Sequence, residues 1–247
     1  MSKGIWSAAS GAISQIASLE AAANDIANAG TAGYRATQPV FRQAMVRAQG
    51  SGREGRIQTQ SVRYARVDGA AMDMTPAEMK STGRPLDVAL RGEGYFVVKT
   101  SDGQERYTRV GSLQLTKDGT ISTPSGEAFL GKDGRPLKIP AGGDVTVSGD
   151  GTLSRKGEAM GQLRVVRFAD PGRLERDGTN RYRATQASGA PTAAEVPVES
   201  GTLEGSNVTP VRGMLQVLAT TRAFEASERA LAAFKDADSR AISIMKG

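Results

Sequence analysis

Apolar positions at both ends of this 247-residue chain recur at steps of three and four, whereas those in the middle alternate with polar ones. Near the N-terminus Ile5, Ala9, Ala12, Ile16, Leu19, Ala23 and Ile26 form a heptad seam, which predicts an amphipathic helix. That helix is expected to run to about Asn28, with Gly30 as a left-handed stop; at ~1.5 Å per residue it is a rod of roughly 36 Å. From Pro210, a good first helical residue, Val217, Phe224, Leu231, Phe234, Ala241 and Met245 lie on a second stripe flanked by Met214, Leu218 and Ile242. Thr220, Ser227 and Asp238 interrupt that stripe, and Gly213 loosens the first turn. The seams are narrow and, in the first helix, mostly Ala, so neither helix is expected to be stable alone in water. Residues 1–30 and 207–247 are therefore expected to pair as a coiled-coil layer and to pack against further copies of the chain, through Ile5, Ile16, Leu19, Ile26, Val217, Phe224, Leu231, Phe234 and Met245.

Between about Leu86 and Leu203 the period changes to two. YFVVKT at 95–100, SLQLT at 112–116, DVTVS at 144–148 and LRVVRF at 163–168 read as short strands, separated by Asp-Gly pairs at Asp102, Asp118, Asp133, Asp150 and Asp177. Asp-Gly favours tight hairpin turns, so residues 86–206 are expected to form an antiparallel all-β domain, and the whole chain an α+β fold with discontinuous terminal helices. Calcium loops are the rival reading of these pairs, but none carries the further oxygen ligands and distal Glu of an EF-hand loop. Residues 31–85, rich in Gly, Arg, Gln, Ser and Thr, show weak periodicity apart from a candidate strand, VRYARV, at 62–67. This stretch is too long for an ordinary loop, so it is expected to be an extended linker or to be ordered by contacts outside the monomer.

Composition narrows the chemistry. The chain has no Cys and no His, which removes disulfides, thiolate and imidazole catalysis, and soft metal sites. GEG at 92–94 precedes a strand rather than opening a helix, the wrong context for nucleotide phosphate. Paired carboxylates could in principle hydrolyse a glycoside, but no pair is nominated by spacing, and at 5% the aromatics offer few sugar platforms. No cofactor, metal or enzymatic activity is expected. Apolar runs near the N-terminus are shorter than the roughly 7–15 residues of a signal-peptide core, and none reaches the ~20 of a membrane span.

The net charge of +6 invites an anionic-surface or nucleic-acid binder, yet no basic helix with interleaved aromatics accompanies it. Arg35, Arg42, Arg47, Arg53, Arg56, Arg63 and Arg66 stand against Glu54 alone, leaving 25 cations and 25 acids in the rest of the chain. The whole excess therefore sits in the segment after the first helix, where Arg53, Arg56 and Arg63 are expected to face acidic surfaces of adjacent subunits.

ANDIANAGTAGY at 23–34, followed by Arg35, resembles the signature that ends the N-terminal helix of the flagellar rod and hook proteins. Ala23, Asn24, Ile26, Ala27, Asn28, Thr31, Gly33 and Tyr34 fit it, and Asp25 departs from the usual Asn. LEGSNVTPV at 203–211, with Glu204, Gly205, Ser206 and Asn207, is similar to that family's C-terminal pattern, as is RAFEA at 222–226; Thr209 and Gly213 depart from it. LDVALRGEGYFVV at 86–98 and YTRVGSLQLTKDGTI at 107–121 resemble the β-domain of its longer members. The shortest rod proteins lack that domain and hook subunits carry longer central insertions, so the length is nearer to a proximal rod subunit, with a distal rod or hook-type subunit as the alternative. The resemblance implies a structural subunit of the basal-body rod in the periplasmic space, built with copies of itself and other rod proteins into a torque-transmitting shaft. It also implies passage through the flagellar type III export apparatus without a cleaved signal peptide, and no nucleic-acid partner.

Overall fold

The computed structural model of the protein describes residues 3–49, 59–140 and 144–246, so Arg53 and Arg56 lie outside the described residues. By its contacts the chain divides into two units: residues 1–26, 37–71 and 210–247 in one, and residues 27–36 and 72–209 in the other. The boundaries differ from those that composition suggests, because the ends of the 31–85 segment belong with the strand-rich middle.

The first unit contains two helices, α1 (Lys3–Ala27) and α2 (Pro210–Lys246), and a two-stranded sheet of β1 (Thr37–Gln49) and β2 (Thr59–Met72). The segment expected to be largely uncommitted is thus mostly strand where it is described; VRYARV lies within β2. After α1 the Thr31 amide and hydroxyl both donate back to Asn28, to its carbonyl at 3.0 Å and its side-chain oxygen at 3.2 Å. The left-handed glycine that redirects the chain is Gly33, with φ of 68°, and not Gly30.

Along α2 the least exposed positions include Gly213, Val217, Thr220, Phe224, Ser227 and Leu231, a heptad seam in which Thr220 is the buried member. Thr220 and Ser227 therefore belong to the stripe they seem to interrupt. Two glycines meet side chains of the opposite helix. A Cβ on Gly11 would stand 3.7 Å from Ser227 Oγ, and one on Gly213 only 2.5 Å from Ile26 Cγ1. The two contacts fall in opposite order along the two helices, which is the order of an antiparallel approach. Gly213, which on propensity alone weakens the helix, is what lets Ile26 reach α2. Gly213→Val is accordingly expected to lower the stability of this unit by about 1–3 kcal/mol through overpacking, despite a better helix former, as read by urea melts followed at a helical wavelength.

The second unit is built of β3 (Met79–Ser81), β4 (Val88–Leu90), β5 (Tyr95–Lys99), β6 (Glu105–Thr108), β7 (Gln114–Leu115), β8 (Ile121–Ser122), β9 (Ala128–Phe129), β10 (Val145–Val147), β11 (Thr152–Arg155), β12 (Glu158–Gln162), β13 (Val165–Arg167), β14 (Glu175–Arg176), β15 (Arg181–Arg183), β16 (Thr192–Ala193), β17 (Val198–Ser200) and β18 (Thr202–Glu204). Its pairings are antiparallel. The largest sheet runs β14-β15-β6-β5-β9-β8-β7, with β13 joining β5 to β16; β10-β11-β12, β17-β4 and β18-β3 form smaller ones. Alternation along β5 sends Phe96 and Val98 into a core with Leu113, Ile121, Phe129 and Leu153, and Tyr95 and Val97 into a second with Tyr107, Phe168 and Tyr182.

The Asp-Gly pairs at Asp102, Asp118, Asp133 and Asp150 make three-residue loops rather than two-residue ones. In Thr116–Thr120 the Gly119 amide donates to the Thr116 carbonyl at 3.0 Å and the Thr116 amide to the Thr120 carbonyl at 2.9 Å, with only the glycine left-handed. The loops at 100–104, 131–135 and 148–152 repeat this pattern. Asp118 accepts from the hydroxyls of Thr116 at 2.6 Å and Thr120 at 2.8 Å, which hold its carboxyl below the usual range. Its oxygens serve the turn itself, as the structural reading of these pairs requires.

Candidate functional site

Two features carry what this chain can do: the surfaces of its helices, and a buried hub in the strand-rich unit that joins the two sequence motifs.

On α1, Ile5, Leu19 and Ile26 are half-buried, whereas Trp6, Ile13 and Ile16 are 57%, 61% and 43% exposed. On α2, Val217, Phe224 and Leu231 are half-buried and Phe234 is 40% exposed. Met245 lies on α2 and Arg63 on β2, with their side chains outside the described residues. A second stripe on α2, Val211, Met214, Leu215 and Leu218, is 48–66% exposed at i, i+3, i+4 and i+7. Each helix thus uses one side within the chain and leaves large apolar side chains on another. Solvated proteins rarely leave such stripes uncovered.

The hub centres on Glu204 at the end of β18, whose side chain is fully buried. Its Oε1 accepts from Arg35 and from the Ala77 amide at 3.1 Å, and its Oε2 from Arg109 Nε at 2.7 Å. Arg109 also reaches the carbonyls of Gly92 and Gly94, at 2.9 and 2.6 Å. Burial pushes the Glu204 carboxyl up, but the Arg109 hydrogen bond and the charges of Arg109 and Arg35 outweigh it, so the group titrates below its ordinary value. Asn207 closes the other side: its Oδ1 accepts from the Ala36 amide at 2.7 Å and its Nδ2 donates to the Asp73 carbonyl at 2.8 Å. The Gly33 amide donates to the Glu204 carbonyl at 2.8 Å, and the Gly205 amide to that of Glu78 at 2.9 Å. Tyr34 is fully buried, with the Arg176 guanidinium 4.5 Å above its ring.

The end of the N-terminal motif (Thr31, Gly33, Tyr34) and the start of the C-terminal one (Glu204 to Asn207) are therefore the two halves of one lock. Ala23, Asn24 and Ala27, on the helical part, are exposed. Asp25, where the resembled pattern has Asn, accepts from the Thr37 amide at 3.1 Å, a role either side chain can fill. The residues that sequence reasoning did not assign are Arg35 and Arg109. Arg35 directly follows one quoted stretch and Arg109 stands inside another, but nothing local to either shows the acid it pairs with. Arg35, counted in the basic excess, is committed to Glu204 within the chain. Gly33 is the tightest point: a Cβ there would lie 2.8 Å from the Arg109 carbonyl carbon and the Val110 amide, in a left-handed conformation besides. Gly33→Ala is expected to cost about 2–5 kcal/mol, measured by thermal or urea unfolding of the purified protein.

Among the described residues no group of three or more His, Cys, Asp or Glu could hold a metal, and no helix is long and apolar enough to cross a membrane. Residues 89–155 match the family described as the flagellar hook protein FlgE/F/G D1 domain, and residues 199–244 the flagellar basal body rod FlgEFG protein C-terminal region. The chain is 37% identical over 249 residues to the flagellar basal-body rod protein FlgF of Escherichia coli (strain K12), covering 94% of each. It is 34% identical over 248 residues to the FlgF of Salmonella typhimurium (strain LT2), again with 94% of each covered. To the flagellar basal-body rod protein FlgG of Bacillus subtilis (strain 168) it is 29% identical over 248 residues, 93% of this chain and 94% of the other. With two terminal helices and an antiparallel β-domain, both family motifs joined in one hub, and similarity along nearly its whole length, the chain belongs to the flagellar basal-body rod protein family.

Proposed function

We propose that the chain is a non-enzymatic structural subunit of the basal-body rod, polymerising through residues 1–30 and 207–247 as a coiled-coil layer. The observation that carries this reading is the exposure of Trp6, Ile13 and Ile16 on α1 and of Val211, Met214, Leu215 and Leu218 on α2, apolar surface that neighbouring copies would cover. A shaft of this kind transmits torque by packing, with no reacting group. Of the three relatives compared, the two above 30% identity are FlgF proteins, which favours the proximal rod over the distal rod as this subunit's place. Deletion should arrest assembly before the distal rod forms, seen in purified basal bodies; a completed distal rod in the deletion strain would overturn the placement.

Export through the flagellar type III apparatus to the periplasmic rod belongs to the same proposal, and loss of that apparatus should retain the subunit in the cytoplasm. Arg53, Arg56 and Arg63 are proposed to face acids of adjacent subunits. Reversing the three to Glu should weaken rod assembly and its salt tolerance, scored by basal-body yield over a salt series; unchanged yield at every salt concentration would remove that role.

A further inference from the structure

The exposed apolar faces of the two helices carry charge of opposite sign. On α1, Trp6, Ile13 and Ile16 are followed on the same face by Glu20, the one charged residue between 4 and 24. On α2, Arg212 and Arg222 are the charged residues between 210 and 224: Arg222 continues the stripe one turn beyond Leu218, and Arg212 flanks Val211. Glu20, Arg212 and Arg222 are all exposed. Two copies of either face would bring like charges together, whereas the two different faces match.

Inside one chain the faces do not meet, because Gly11 lies against Ser227 and Gly213 against Ile26, on the other sides of both helices. The same contacts fix a direction. They make α1 and α2 antiparallel within the chain, so in a polymer whose copies all point one way α1 of one copy also runs antiparallel to α2 of the next. With Ile16 level with Leu215 and Ile13 level with Leu218, Glu20 falls within about one residue of Arg212, ~1.5 Å along the axis. Trp6 then lies about three residues, ~4.5 Å, from the level of Arg222, in reach of a guanidinium over the indole face. A parallel arrangement would pair Glu20 with Arg222, but it turns the second copy end over end, and two copies so related close on each other instead of growing.

We infer that the outer face of α1 docks antiparallel on the outer face of α2 of a second copy of this chain, a head-to-tail contact directed by Glu20 against Arg212 and Trp6 beneath Arg222. The inference rests on the reading of the protein as a polymer subunit, and adds which surfaces meet and in which direction. The seven large apolar side chains of the two faces offer of order 100 Å² each, roughly 700 Å² in all, under the ~1,200 Å² at which a specific pair holds by itself. One such contact is too small for a stable dimer. It holds in a polymer, where each copy makes it twice, once through each face.

The chain has no cysteine, so cross-linking can read the contact directly. The full-length chain with Ile16→Cys and Leu215→Cys is expressed in place of the wild type, and its purified basal bodies are mildly oxidised and resolved on a denaturing gel. A ladder extending beyond the dimer is expected, with at least about fivefold less product from a chain with Ala9→Cys and Val211→Cys, whose thiols meet only in the parallel arrangement. A dimer with nothing above it, or a stronger product from the second pair, would overturn the head-to-tail contact. In a second arm Glu20→Arg should lower the yield of the chain in basal bodies about fivefold, and Arg212→Glu added to it should restore most of that yield. Both positions are exposed and both substitutions keep good helix formers, so the rescue separates the contact from folding. Equal yields from all three chains would also overturn it. Normal amounts of chain in basal bodies with no cross-link from either pair would remove the contact and leave the rod reading standing, whereas absence of the wild-type chain from basal bodies would remove both.

Discussion

Glu204→Ala is expected to lower the stability of the β-domain by about 3–5 kcal/mol, a large part of the roughly 5–15 kcal/mol by which domains of this kind are held. The substitution removes little apolar surface. It leaves Arg35 and Arg109 buried without the carboxylate that faces both, and takes an acceptor from the Ala77 amide. Glu204→Gln keeps an acceptor and the shape but loses the charge, so it should fall between Ala and wild type. The same group makes the domain acid-labile. Its folded carboxyl titrates below the ordinary value, so the unfolded chain takes up the proton first as pH falls. The contribution is whole above the unfolded carboxyl value of about 4.3 and is lost as pH drops through the folded value. Urea midpoints between pH 7 and pH 2 should show this loss in the wild type and a smaller one in Glu204→Gln; parallel curves would remove Glu204 from the account.

Leu231→Asp is expected to abolish incorporation into basal bodies while the β-domain melts as in the wild type. Leu231 is half-buried on the seam that also holds Val217, Thr220, Phe224 and Ser227, and the seam is thin. One carboxylate there must be desolvated without a partner whenever the helices pack, whereas the cores around Phe96 and Tyr95 are made by other residues. Motility assays, basal-body preparations and the near-ultraviolet spectrum of the purified variant read the two halves of the prediction separately. Normal motility and rod assembly would remove the seam from the assembly surface.

What could be read in the sequence was what depends on near neighbours. Pro210 and the heptad spacing placed α2, alternation found β5, β10 and β13, and Asp-Gly marked the reversals between strands. Strands of two residues, such as Glu175–Arg176, are too short to show a period, and β1 was hidden because its partner, and not its own pattern, makes it a strand. Arg35 and Arg109 escaped for a related reason. Arg35 and Glu204 are 169 residues apart, and no window along the chain contains both. Thr220 was misjudged because polarity and packing were read as one property: a small hydroxyl that breaks an apolar stripe is also what lets two helices come close.

The pairing of residues 33–36 with 204–207 has a consequence for how such chains can vary. Residues 33–36 and 204–207 of the strand-rich unit are hydrogen-bonded to each other through Gly33, Ala36, Glu204 and Asn207, and Asn207 also holds the Asp73 carbonyl at 2.8 Å. Residues 73–204 are thus a cassette on a clasped loop. With the clasp closed, doubling the length inserted changes the closure entropy by only about 0.6 kcal/mol, so the cassette can grow or shrink without opening the clasp.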